Sequence, residues 1–384
     1  MALLPMKIPP QLEALTPDVP GSVFNEEFRR ACERLDRFVG ALSVELAADL
    51  GVRPGEPTSV DRLAVERGWG SGGALSVRWL LETLELFGEA ERRGDSWRLK
   101  GGAPPATSGQ VRAEAEQSMP AARPAFEVLS LSAQALPAVL KGELRGEDAL
   151  FGPAAMGLWF DYFSNANPLY APNNQVTALA VERAVGRGAR VLEVGGGGGS
   201  AALALLEALK AAHKPPSSYV FTELQPAFLR RGVRAIQQAL PTGCQLRSLR
   251  FDIDGDPAAQ GLEAGQFDVA FGVNTLHLAG GVVATLKRLR ALLRPGGVLV
   301  VGELLRPTAT APVHLELPFT LLTSYSQVPL EDGIRVRPGF MSARGWGRAL
   351  EAAGFRETTI LPAQIERCTE IYPGFYCGAI TARA

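Results

Sequence analysis

A run of five glycines directly after a short apolar strand places the tightest limit on what this chain can fold into. The run, Gly195 to Gly199, follows the sequence VLEV and leads into an Ala- and Leu-rich segment that starts at Ser200. Glycine accepts the positive φ angles of a sharp strand-to-helix turn, and without a Cβ atom it lets a ligand lie against the backbone. The pattern therefore predicts a buried strand, a ligand-binding loop and a helix.

Alternating strands and helices continue from Ala189 onward. The predicted strands are Arg190 to Val194, Tyr219 to Thr222, Gln245 to Phe251, Phe267 to Val273 and Val298 to Glu303, and the predicted helices are Ser200 to Ala212, Pro226 to Leu240 and Gly281 to Leu293. This alternation is typical of a doubly wound parallel sheet, which binds ligands at the carboxyl ends of its strands. The predicted fold class is α/β with a Rossmann-like sheet.

The glycine loop alone fits two kinds of nucleotide-containing ligand. Gly196, Gly198 and Ala201 satisfy the G-x-G-x-x-A pattern of dinucleotide-binding folds. Glu193, however, stands two residues before the glycines. A carboxylate there would repel a pyrophosphate and suits the charged amino-acid headgroup of S-adenosylmethionine.

Acidic residues also follow the next two predicted strands. Glu223 ends the second strand, where it suits ribose hydroxyls, and Asp252 follows the third, where it can accept a hydrogen bond from an adenine amine. Each acid could instead be a loop carboxylate or a helix N-cap. Three acids at successive strand ends favour S-adenosylmethionine.

One histidine and one glutamate form a candidate acid–base pair. His277 follows the fourth predicted strand, and Glu303 ends the fifth. These strands are normally neighbours about 4.8 Å apart, so both side chains should lie at the ligand edge. A carboxylate beside an imidazole fixes its tautomer and raises its basicity, which favours a general base over a histidine that merely caps a strand.

The N-terminal part has the pattern of a winged helix. It comprises a helix from Glu27 to Leu50, a capping box at Thr58 to Asp61 that opens a short helix, a helix from Ser76 to Phe87, and a hairpin within Ala90 to Leu99. Residues 41–100 carry 8 basic and 10 acidic side chains, a balance of −2. A DNA reader needs the opposite charge, so we expect a dimerisation or substrate-capping module and no nucleic-acid partner.

A helical region separates these two parts. GGAPPATSG, from Gly101 to Gly109, reads as a linker, and helices are expected to about Val185. The expected division is residues 1–105, 106–185 and 186–384. Aromatic side chains in the middle region either pack between domains or roof a small-molecule pocket: Trp159, Tyr162, Phe163 and Tyr170.

Composition excludes several other classes of protein. The net charge is −1, 46% of residues are hydrophobic, and no apolar run approaches the ~18 residues of a membrane span. The four cysteines form no CxxC pair, and no signal peptide is evident. We therefore expect a cytoplasmic protein without a membrane partner or a disulfide framework.

Residues 189–307 resemble class I S-adenosylmethionine-dependent methyltransferases through LEVGGGGG, FTE, FDID, FDVAFGVNTLH and LLRPGGVLVVGE, in that order. FTELQPAFLRRG, FDIDGDPAAQG, NTLHLAG and the later RVRPGFMS are similar in particular to the C-methyltransferase domains of polyketide synthases. The resemblance implies S-adenosylmethionine as cofactor and a base dyad of His277 and Glu303. We expect the cofactor to contact Glu193, Gly195, Gly197, Gly199, Glu223, Asp252 and Asn274.

The N-terminal part resembles instead the winged-helix dimerisation domain of small-molecule O-methyltransferases, which implies a homodimer. Those enzymes continue H-D-W-x-D/E after the base histidine, whereas this chain reads HLAGG. We therefore expect C-methylation of a polyketide-like or aromatic intermediate, free or bound to a carrier protein. The alternatives are O-methylation of a phenol or enol hydroxyl and, more remotely, a regulator that senses S-adenosylmethionine.

We predict no metal. A minority interpretation places iron on His277, His314 and Glu316, a two-histidine, one-carboxylate set.

Overall fold

The computed structural model describes residues 7–69, 73–102 and 104–384. Its N-terminal elements are α1 (Gln11–Ala14), α2 (Glu26–Asp49), β1 (Pro57–Thr58), α3 (Val60–Arg67), α4 (Ala74–Leu86), β2 (Ala90–Arg93) and β3 (Ser96–Leu99). The three strands form an antiparallel sheet in the order β1-β3-β2. The predicted helices and hairpin are therefore present.

One predicted helix start is wrong by one residue. Thr58 lies in β1, and the N-cap of α3 is Ser59, whose side chain accepts a hydrogen bond from the backbone N–H of Arg62. Both residues carry a hydroxyl, and pairing of Thr58 with Trp97 of β3 decides between them.

Five helices connect the small sheet to the large one: α5 (Ser108–Ser118), α6 (Arg123–Leu140), α7 (Gly146–Phe151), α8 (Met156–Tyr162) and α9 (Ala171–Ala184). Thr107 caps α5 in a complete capping box with Gln110. Among the described residues, none of the helices is both long enough and apolar enough to cross a membrane.

The remaining elements are β4 (Arg190–Glu193), α10 (Ser200–Ala211), β5 (Ser218–Thr222), α11 (Pro226–Ala239), β6 (Gln245–Leu249), β7 (Phe267–Val273), α12 (Val282–Leu292), β8 (Leu293–Leu304), α13 (Leu317–Thr320), α14 (Thr323–Ser326), α15 (Ala343–Ala352), β9 (Arg356–Leu361), α16 (Ile365–Ile371) and β10 (Cys377–Arg383). The large sheet has the order β6-β5-β4-β7-β8-β10-β9. The strand order reverses between β4 and β7, and such a reversal opens a ligand crevice at the carboxyl ends of the strands.

The α/β class is confirmed, but the sheet is mixed rather than wholly parallel. Strands β4 to β8 run parallel, as predicted, while β10 pairs antiparallel with both β8 and β9. The last two strands were not predicted. β9, RETTIL, is mostly exposed at the sheet edge and lacks the apolar run of a buried strand, whereas β10, CGAITAR, is mostly buried but has Ile380 as its one β-branched apolar residue.

Two hydrophobic cores hold the chain together, and neither belongs to one stretch of sequence. The core around the large sheet also takes in Leu12 and Phe28 from the N-terminal segment. The core of the N-terminal helices also takes in Leu317, Tyr325 and Phe340, which follow β8. The N-terminal helices are thereby packed over the carboxyl edge of the sheet.

Replacing Gly302 by alanine should destabilise the fold. A Cβ atom at this position of β8 would lie 1.9 Å from the hydroxyl oxygen of Thr177, which donates to the carbonyl of Asn173 in α9. Overpacking of this kind typically costs about 1–3 kcal/mol. We expect a lower midpoint of thermal unfolding for Gly302→Ala. Gly157→Ala is the control, because nothing lies within 4 Å of its Cβ position, and an equal loss in both variants would contradict the packing argument.

Candidate active site

A cavity of about 470 Å³ opens at the carboxyl edge of the sheet. The glycine loop and the end of β5 line one half. Aromatic side chains from α7, α8 and the segment after β8 line the other. The cavity therefore combines a polar loop suited to a nucleoside with an apolar chamber.

The glycine loop follows β4 in a conformation that side chains would obstruct. Gly195, Gly197 and Gly199 all have positive φ angles, of 64°, 55° and 89°. A Cβ atom on Gly195 would lie 2.3 Å from the methyl carbon of Thr275, whose hydroxyl donates to the Gly195 carbonyl. Gly195 and Gly197 line the cavity. Gly199 is not among the lining residues, and it instead packs tightly against Gly232 of α11.

Glu193 is buried at the end of β4, on the wall of the cavity. Its Oε2 accepts a hydrogen bond of 2.6 Å from the hydroxyl of Tyr219, while its Oε1 has no hydrogen-bond partner. Burial raises the pKa of this carboxyl group to about 8. A buried oxygen without a partner is costly, and an ammonium group could satisfy it. Tyr219, in the β5 sequence SYVFT, looks like an ordinary buried strand residue, so sequence analysis missed it.

The two other predicted acids occupy different places. Glu223 lines the cavity, and its carboxylate accepts hydrogen bonds from the backbone N–H groups of Gly197, at 2.9 Å, and Gln225, at 2.8 Å. Asp252 is exposed and is not among the lining residues, and its side chain accepts from the N–H of Asp254. The structure therefore brings Glu223, but not Asp252, to the cavity.

His277 and Glu303 form a buried pair at the carboxyl ends of β7 and β8, which are neighbouring parallel strands as predicted. Nδ1 of His277 lies 2.8 Å from Oε2 of Glu303, and the backbone N–H of His277 donates to Oε1 at 3.2 Å. The two residues are 3% and 0% exposed. The carboxylate favours the tautomer that carries its proton on Nδ1, which leaves Nε2 free to accept one.

Asn274 ties the same two strands together. It has a φ angle of 50°, which asparagine tolerates better than most residues. Its Oδ1 accepts from the N–H of Leu304 at 2.9 Å, and its own N–H donates to Gly302. Asn274 lines the cavity, but the structure uses its side-chain oxygen to hold β8.

The predicted aromatic residues form part of the chamber. Tyr162, Phe163 and Tyr170 line it, whereas Trp159 is fully buried behind them. Its ring stacks on Phe163, with centroids 5.2 Å apart. Trp159 therefore supports the wall rather than facing a ligand, which corrects its assignment to the pocket.

Five aromatic residues that line the cavity were missed by sequence analysis: Phe151, Phe228, Phe319, Tyr325 and Phe340. Phe319, Tyr325 and Phe340 line the cavity near His277, and the ring of Phe340 lies 4.5 Å from the imidazole. They follow β8 in a segment without clear periodicity. RVRPGFMS, which contains Phe340, was noticed in the sequence but was not connected to the pocket.

The alternative metal ligands are engaged elsewhere. Nε2 of His314 lies 3.0 Å from Oδ1 of Asp36, and its Nδ1 lies 2.7 Å from the hydroxyl of Tyr376. Glu316 is paired with the buried guanidinium of Arg306. No cluster of three metal-ligating side chains occurs within the described ranges, so the His277, His314 and Glu316 set is not assembled.

The sequence of this chain is similar to those of known methyltransferase domains and polyketide synthases. Residues 192–299 match the family described as "Methyltransferase domain". Polyketide synthase ThaQ of Burkholderia thailandensis is 31% identical over 310 residues, which are 76% of this chain and 14% of that protein. The chain thus spans only a small part of the length of this relative.

Solved structures share the fold across nearly the whole chain. The DszA carbon methyltransferase has a TM-score of 0.73 at 24% identity and covers 100% of this chain and 99% of its own. The trans-methyltransferase CalH, solved in complex with SAH, has a TM-score of 0.63 at 22% identity, with 92% of each chain covered.

The chain therefore resembles class I S-adenosylmethionine-dependent methyltransferases, and polyketide synthase C-methyltransferase domains in particular. The match of residues 192–299 to a methyltransferase domain shows that the chain is an enzyme, and its cofactor is S-adenosylmethionine. The residues present fit that cofactor, because Glu193 offers an unpartnered carboxylate oxygen and Gly197 leaves open space where a Cβ atom would stand.

Glu193 should make the stability of the protein depend on pH. Burial raises the pKa of its carboxyl group from an ordinary 4.5 to about 8. Between these values the unfolded chain releases a proton that the folded protein keeps, so the free energy of unfolding falls as pH rises. Glu193→Gln removes this term. The unfolding midpoint of the variant relative to wild type should therefore rise from pH 5 to pH 8.

The matched control is Glu207→Gln, on the exposed side of α10. Its midpoint should keep a constant offset from wild type over the same range. A constant offset for Glu193→Gln as well would contradict the raised pKa of the Glu193 carboxyl group.

Proposed function

We propose that this chain methylates the carbon atom between two carbonyl groups of a polyketide-type thioester, with His277 as general base and Glu303 as its partner. The observation that best supports this proposal is the buried His277–Glu303 pair on the wall of an aromatic chamber. The similarity to polyketide synthases supports the substrate class.

S-adenosylmethionine supplies an electrophilic methyl group on a sulfonium. Nε2 of His277 takes the proton from the carbon between the carbonyls, and the C–H electron pair stays on that carbon. This carbon is then the nucleophile that forms the new C–CH₃ bond, while the S–CH₃ bond breaks and its electron pair stays on sulfur, so that S-adenosylhomocysteine leaves. Glu303 stabilises the imidazolium until its proton passes to solvent, and proton transfer of this kind typically contributes ~10²–10⁴-fold.

The chamber supports an apolar acceptor. The Tyr325 ring lies 5.6 Å from the imidazole of His277, and Phe319 lies 5.7 Å from Tyr325. Such walls keep water away from a carbanion and strengthen the electrostatic influence of Glu303. We expect an acyl chain to lie along them.

The partners are proposed on the same basis. The relatives are polyketide synthases several times longer than this chain, so we expect a carrier protein to bear the thioester, with a free thioester as the alternative. Homodimerisation through the N-terminal helices and a cytoplasmic location stay predictions.

The direct test mixes the protein with ¹³C-methyl S-adenosylmethionine and a 3-oxoacyl thioester of N-acetylcysteamine. A new ¹³C–¹³C coupling in product made from C2-labelled thioester would show carbon methylation. A methoxy signal would instead support the O-methyltransferase alternative. Binding of S-adenosylmethionine without transfer to this thioester would overturn the proposed acceptor.

His277→Ala should lower kcat by about 10²–10⁴-fold, because it removes the proton acceptor. Calorimetric titration should show an unchanged affinity for S-adenosylmethionine. His213→Asn is the matched control, since His213 is exposed, does not line the cavity, and has a φ angle of 55° that asparagine tolerates. Full turnover by His277→Ala would show that His277 is not the general base.

A further inference from the structure

A buried arginine binds the backbone of the loop that carries the proposed base. Arg335 is 1% exposed, although it lies 58 residues after His277. One of its terminal nitrogens, Nη1, donates to the carbonyls of His277, at 3.1 Å, and Ala279, at 2.8 Å. The other, Nη2, donates to the carbonyl of Gly280 at 3.2 Å. A single guanidinium thus binds three carbonyls of one loop.

Two carboxylates hold the N–H groups of the same loop. Both side-chain oxygens of Asp254 accept from the N–H of Gly280, at 3.0 and 2.9 Å. Oε1 of Glu331 accepts from the N–H of Val282 at 2.6 Å and lies 3.5 Å from Nη2 of Arg335. The backbone between β7 and α12 is therefore bound by charged side chains on both its donors and its acceptors.

Only the geometry of arginine suits this place. Its planar fork presents five donors in fixed directions, whereas the ammonium of lysine is a single point on a flexible stem. The remaining donor, Nε, binds the carbonyl of Pro329 at 2.8 Å, so the segment before Arg335 is held as well. Burial lowers the pKa of this guanidinium, because removing its charge from water costs free energy.

The imidazole depends on the setting of this loop. Nδ1 of His277 lies 2.8 Å from Oε2 of Glu303. The position of Glu303 is set by β8, and that of the imidazole is set by the backbone of residue 277. The carbonyl of that same residue is bound to Arg335. A shift of about 1 Å in such a contact can cost ~10²-fold in rate.

We infer that Arg335 is a positioning residue, which holds the backbone of residues 277–280 so that the His277 imidazole meets Glu303. This inference rests on the proposed function, because it assumes that His277 is the base. Arg335 does not line the cavity, so it acts through the loop and not on the substrate.

The test is Arg335→Lys, assayed with S-adenosylmethionine and the 3-oxoacyl thioester. We expect kcat to fall at least 10-fold while KM for both substrates and the affinity for S-adenosylmethionine change less than twofold. This split between kcat and KM is what a misplaced base should produce, since both substrates still bind.

The matched control is Arg337→Lys. Arg337 lies two residues away, has a side chain that is 10% exposed, and pairs with Glu82 at 2.9 Å and with the carbonyl of Thr310, but it makes no hydrogen bond to the loop. It should lower the unfolding midpoint and leave kcat within twofold of wild type. If Arg335→Lys behaves in the same way, or keeps full kcat, its role is only structural and the inference is overturned.

Glu331→Gln provides a second route if Arg335→Lys does not fold. Its amide oxygen can still accept from Val282, but the charge beside Arg335 is lost. We expect a two- to fivefold fall in kcat with an unchanged KM, and an unchanged kcat would contradict the inference. Full activity of His277→Ala in this assay would instead show that the proposed function has failed, independently of Arg335.

Discussion

The buried contact between His277 and Glu303 is the interaction on which the rest of the site depends. An imidazole and a carboxylate that are almost wholly removed from water are stable only when each provides the partner of the other. That requirement needs β7 and β8 as neighbours, a glycine at position 302 so that α9 can approach, and a loop after β7 that presents both the ring and the N–H of residue 277 to one carboxylate.

Much of this arrangement could be predicted from sequence, because it follows from local patterns. The alternation of strands and helices predicted the α/β class. The glycine run and the acidic residues at strand ends predicted which edge of the sheet holds the site, and the neighbouring fourth and fifth strands predicted that His277 meets Glu303. The parallel strands in particular lie within a few residues of their predicted bounds.

The remainder depends on contacts between residues far apart in sequence, which no local pattern reveals. The edge strand β9 is mostly exposed, Trp159 lies behind the pocket rather than in it, and Asp252 is turned away from the cavity. Arg335 meets its carbonyls across more than 50 residues. Similarly, the sequence allowed His314 as a metal ligand, but the structure packs it against Asp36 of α2, which precedes it by 278 residues.

The interleaving of the two cores limits how this unit can be moved between proteins. Asp36 also accepts from the hydroxyl of Tyr372, so the first long helix is bound by polar contacts to residues just before the last strand of the sheet. A junction cut near residue 105 or 185 would divide both cores and strand a buried carboxylate. Transfer of this unit into another protein would therefore require the N-terminal helices and the sheet together, with new linkers attached outside both.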